Sequence, residues 1–127
     1  RITTKIWQNA NWLRFHKNSD SVERHKNKFP DKYELFCIAE NLVNSQYFNE
    51  NKYYYIYVDL DEEKIRGKIT SRMRDNAIDE YLSKNYNSIV KPAINKMNLS
   101  DGIKIDKEEA IQGVRARIKK QYFTDIK

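Results

Sequence analysis

Apolar residues fall along the chain in two rhythms, one of three to four residues and one of two, and each change of rhythm marks a change of element. Leu35, Ile38, Ala39, Leu42 and Val43 share one helical face, which Phe36 and Cys37 widen. Pro30 stops any helix arriving from upstream, and Asp31 followed by Glu34 has capping-box spacing, so a core helix is predicted over 31–44. The run at 53–58 alternates instead. Tyr54, Ile56 and Val58 are predicted to face the core, and Tyr53, Tyr55 and Tyr57 to form a partly exposed ladder on the other face of a strand. Beyond it Ile65, Ile69, Met73, Ala77 and Tyr81 recur at every fourth position, with Ile78 and Leu82 extending the face. This predicts a central helix over 61–85, entered through acids (Asp61, Glu62, Glu63) that complement its dipole. Gly67 is placed to kink that helix or divide it in two.

Pro92 fits the first turn of a short helix over 92–98, and Ser100, Asp101 and Gly102 read as a turn. Asp106 with Glu109 repeats the capping spacing and opens a last helix, 107–122, lined by Ile111, Val114, Ile118 and Tyr122. At the start of the chain Ile6, Ala10 and Leu13 fit a helix. The two-residue period of Ile2, Thr4 and Ile6, and then of Trp12 and Arg14, favours a hairpin with its turn at 8–11. Such a hairpin would supply backbone partners for the 53–58 strand. The fold class expected is α+β: one compact, helix-dominated domain, 1–127, with a small antiparallel sheet, and all-α as the alternative.

Composition narrows the setting. A chain of 127 residues with 39% hydrophobic and 13% aromatic residues can bury a core without disulfides. Charged residues at 33% and a mean hydropathy of −0.91 put a polar surface around that core. No apolar run is long enough to span a membrane, so no membrane partner is expected. The single cysteine, Cys37, lies in a helical apolar pattern and reads as a buried, inert thiol of a reducing, cytoplasmic compartment. Abundant Asn, Lys, Ile and Tyr suggest an AT-rich gene, as in a phage or mobile element.

The net charge of +6 favours an acidic partner, nucleic acid above all, DNA or RNA. On the predicted central helix Lys64, Lys68 and Arg72 form one cationic ridge, supplemented by Arg66 and Arg74, and by Arg115, Arg117, Lys119 and Lys120 if the last helix packs alongside. The competing reading is a solvated charged face, with Arg72 paired to Asp75 or Asn76. A second functional class is protein binding, as an inhibitor or assembly subunit, through Trp7, Trp12, Phe15, Tyr53, Tyr55 and Tyr57. The tyrosine ladder could also stack bases, although amphipathic residues on a half-buried sheet face are the commoner case. A third class is a metal-dependent nuclease. Asp59 and Asp61 follow an apolar strand where carboxylates hold divalent ions, and Pro30-Asp31 with Glu62-Glu63-Lys64 match as text the Pro-Asp, acid-x-Lys pattern of a nuclease family, but in that pattern Asp31 reads better as a helix cap and Lys64 as a helical residue. His16, His25 and Cys37 do not make a zinc pattern, and Gly67, Gly102 and Gly113 are too far apart for a phosphate loop. A non-enzymatic nucleic-acid-binding or regulatory domain, without cofactor or metal, is the leading expectation.

Overall fold

The computed structural model describes residues 12–16, 22, 27, 30–49, 53–101 and 106–124. Three strands, β1 (Trp12–His16), β2 (Tyr55–Asp59) and β3 (Lys64–Arg66), form an antiparallel sheet in the order β1-β2-β3. Among the described residues four α-helices accompany it: α1 (Tyr33–Asn49), α2 (Ser71–Lys84), α3 (Lys91–Asp101) and α4 (Lys107–Tyr122). The architecture is thus a helix-dominated α+β fold, and the sheet removes the all-α alternative. The first arm and turn expected of an N-terminal hairpin lie outside the described residues; the residues expected of its second arm form β1, which pairs with β2.

One face of the sheet makes the core. Leu13, Phe15, Ile56, Val58 and Ile65 are buried there against Leu35, Phe36, Ile38 and Leu42 of α1. Ile56 and Val58 lose all exposure, as their alternation predicts, and Tyr54 is half-buried with its hydroxyl donating to the Lys68 carbonyl at 2.8 Å. Burial pushes the Tyr54 phenol up to about 12. α2 packs on α1 and on α4 through Ala77, Ile78, Tyr81 and Leu82, and α4 answers with Ala110, Val114, Ile118 and Tyr122. Asn41, buried in α1, donates to the Ala77 carbonyl at 3.1 Å.

The central helix departs most from expectation. It starts at Ser71, not near 61, because Thr70 adopts extended backbone and its hydroxyl accepts the Met73 N–H at 3.1 Å. Residues 64–66 are instead a strand whose register sets Tyr57 opposite Arg66, Val58 opposite Ile65 and Asp59 opposite Lys64. The acids ahead of it do not cap a helix. They form the β2–β3 turn, in which Asp59 Oδ1 accepts the N–H groups of Asp61 (3.0 Å) and Glu62 (3.1 Å), while Glu63 adopts a φ of +56°. The link to α2 passes through Gly67, whose φ of +146° disfavours any other residue.

Three smaller corrections follow. A 3₁₀ turn, Pro30–Lys32, precedes α1, and the Glu34 carboxylate serves an inter-helix network rather than a capping box. The interruption near Asn87 is a π turn, Tyr86–Val90, running into α3; Lys91 stays helical although Pro92 follows, so this helix is longer than 92–98. Cys37 is only partly buried. α4 matches its predicted span, with the Asp106 carboxylate accepting the Glu109 N–H at 2.8 Å.

Candidate nucleic-acid interface on the open sheet face

The strands alternate cleanly, so every second residue leaves the core for the opposite face of the sheet. On β1 these are Trp12, Arg14 and His16; on β2, Tyr55, Tyr57 and Asp59; on β3, Lys64 and Arg66. Register arranges them in three rows across the strands: His16 beside Tyr55, then Arg14, Tyr57 and Arg66, then Trp12, Asp59 and Lys64. Trp12 is 50% exposed, Tyr55 40% and Tyr57 42%, so this face retains large aromatic surface in water. Tyr53, just before the strand, is 88% exposed.

Aromatics and guanidinium groups interleave there. The Arg14 Cζ lies 4.1 Å from the Tyr55 ring centroid, the Arg66 Cζ lies 5.7 Å from the Trp12 ring, and the Tyr55 and Tyr57 rings meet edge to face at 5.6 Å. Arg66 also pairs with Glu62 at 3.2 Å; the two side chains are 36% and 67% exposed. A pair so exposed contributes roughly 1 kcal/mol at most, so the guanidinium can exchange partners. Asp59 belongs to the same parity but is buried, its Oδ1 committed to the turn. Among the described residues no group of three or more His, Cys, Asp or Glu side chains is placed to hold a metal ion.

The cationic ridge predicted on the central helix is dispersed. Lys64 lies on β3 and reaches the end of α4, donating to the carbonyls of Gln121 and Lys120 and to Thr124 Oγ1 at 2.9 Å, where a cation complements the helix dipole. Arg74 pairs with Asp75 at 3.0 Å and Lys119 with the same carboxylate at 3.4 Å; Asp75 is held below its usual range because these cations outweigh the opposing desolvation. Arg115 donates to Asp79 Oδ1 at 3.0 and 2.6 Å. Among the described residues Lys68, Arg72 and Lys120 have no ion-pair partner, and the expected pairing of Arg72 with Asp75 goes to Arg74 instead.

Arg117 is tied to α1. Its guanidinium donates to both Glu34 oxygens, at 2.8 and 3.1 Å, while the Tyr81 and Tyr122 hydroxyls donate to the same carboxylate at 2.9 and 2.7 Å. Burial alone would raise the Glu34 pKa, but the hydrogen bonds from Arg117 and Tyr122, with the Arg117 charge, hold it below the ordinary value. Burial and the Glu34 carboxylate together push both phenols up. This network fastens α1, α2 and α4 and uses a cation that sequence alone assigns to a partner. Nearby, a groove of about 190 Å³ between α1 and α2 is lined by Tyr33, Cys37, Glu40, Asn41, Tyr81, Lys84 and Asn85.

Of the aromatic candidates, Trp12, Tyr53, Tyr55 and Tyr57 are exposed, whereas Phe15 belongs to the core, edge to face with Phe36 at 5.8 Å. Trp7 lies outside the described residues. Sequence reasoning missed Arg14 and His16 as members of the face, although the parity they share with Trp12 was readable. Comparison of the chain with protein-family models, curated proteins and solved structures found no significant match.

Proposed function

We propose that this chain is a non-enzymatic nucleic-acid-binding domain that takes single strands on its open sheet face. One observation carries the reading: exposed rings and guanidinium groups alternate across one face of the sheet. Rings offer π-faces to unpaired bases, and arginines offer charge to the backbone between them. A duplex, with its bases already stacked, gains no stacking from such a surface. The overall charge of +6 adds long-range attraction for either. The test is fluorescence anisotropy with a labelled twelve-nucleotide single strand and the corresponding duplex across a salt series. Preference for the single strand, with quenching of tryptophan emission, is the expected result. Equal binding of both, unaffected by Trp12→Ala or Tyr55→Ala, would remove the face from the account.

A protein partner is the second reading, favoured by the order already present on the face. Arginines seated on rings make a rigid aromatic patch of the kind that anchors interfaces. A complex of that sort persists at several hundred millimolar salt, where phosphate contacts fade.

A further inference from the structure

The middle row of the face sets Tyr57 between two arginines, Arg14 on one neighbouring strand and Arg66 on the other. Neighbouring strands lie about 4.8 Å apart, so the two arginine backbones are separated by roughly 10 Å with the tyrosine at the midpoint. Arg14 is exposed, the Arg66 side chain is 36% exposed, and Tyr57 keeps 42% of its surface exposed. The ends of the sheet differ in charge. At the β2–β3 turn stand Asp61, Glu62 and Glu63, which repel phosphate; toward His16 and Tyr55 the strands carry no acid. A polyanion running along β2 would meet those acids, whereas one crossing the strands at the middle row meets two cations.

Resting on the single-strand reading above, we infer that this row is a clamp for one nucleotide step: Tyr57 stacks a base, Arg14 and Arg66 hold the phosphates on either side of it, and the strand crosses the sheet rather than following it. Phosphate displaces the exposed Glu62 carboxylate from Arg66, so Glu62 acts as an internal competitor.

The two kinds of contact separate in a salt series. Each phosphate neutralised on a single strand contributes about −0.7 to the slope of log affinity against log salt. With labelled twelve-nucleotide oligothymidylate, Arg14→Gln combined with Arg66→Gln is expected to flatten the slope by about 1.4. Tyr57→Leu is expected to leave the slope alone and weaken binding by about 5- to 150-fold, the worth of one stacked base. Glu62→Gln should tighten binding. The control is Lys68→Gln with Arg72→Gln, which removes the same charge from the cations outside the sheet; it should change the slope by much less. Apart from the part-buried Arg66, the variants alter solvent-facing side chains, and circular dichroism checks that each is folded. If the control flattens the slope as much as the arginine pair, or Tyr57→Leu binds as wild type does, the clamp is overturned while single-strand binding stands. If wild type binds no single strand even at low salt, both readings fall and a protein partner is left for the face.

Discussion

Gly67 and Glu63, four residues apart, carry the two positive φ angles among the described residues, and they depend on their side chains in opposite ways. At Gly67 a Cβ would stand 3.4 Å from the Ile56 Cα and Cγ2 and, more importantly, would hold an L-residue at φ +146°. Gly67→Ala is expected to cost about 1–3 kcal/mol, read as a lowered urea midpoint at unchanged slope. Wild-type stability in that variant would contradict the backbone path from β3 into α2. Glu63 occupies the left-handed region at φ +56°, which an L-residue adopts at a cost, so Glu63→Gly should be neutral or stabilising by up to about 1 kcal/mol. Nothing in the local sequence separates these two positions by conformation; the turn that Asp59 organises does.

Among the elements, the Glu34 network decides how α1, α2 and α4 sit together. Glu34→Gln is expected to lower stability at pH 7 by roughly 1–3 kcal/mol, since it weakens bonds from Arg117, Tyr81 and Tyr122 at a part-buried carboxylate. The sign of its pH dependence follows from the depressed pKa. The stabilisation is complete above the ordinary glutamate value of 4.5 and is lost as pH falls through the lower folded value, so wild type and variant should converge in acid. Urea titrations from pH 7 down into the acid range, as far as the protein stays folded, measure the difference; a gap that has not begun to close over that range would count against the charge-linked role of Glu34. α1 and α4 were legible because one apolar period and a proline or capping signal agree in each. The stretch 61–70 was not. Ile65, Ile69 and Met73 satisfy a helical period, and a three-residue strand is too short to display its own, so pairing with Tyr57, Val58 and Asp59 decides its state. The candidate face was half legible for a related reason. Alternation exposes the ladder at Tyr55 and Tyr57, but only register brings Arg14 and Arg66 beside it, and register is a long-range property.

For the molecule as a whole, the surplus of positive charge is less available than its total implies. Arg74, Arg115, Arg117 and Lys119 neutralise Asp75, Asp79 and Glu34, and Lys64 ends at the last carbonyls of α4. Arg115→Gln with Arg117→Gln removes as much charge as the arginine pair on the sheet. It is expected to lower thermal stability while leaving the salt dependence of oligothymidylate binding nearly unchanged, because those guanidinium groups hold helices together. A flattened slope with unchanged melting would place nucleic acid on α4 instead.

The strand order β1-β2-β3 also carries a kinetic consequence. β2 and β3 are joined by a short turn, but β1 reaches β2 only after the whole of α1 has been traversed. Closing that long loop costs entropy before any contact compensates it, so the β2–β3 hairpin is expected to order before β1 docks on it. Trp12 and Arg14 arrive with β1. The surface proposed for recognition is therefore completed by a long-range pairing, and a chain still emerging from the ribosome cannot present it until residue 59 is free to pair with residue 12.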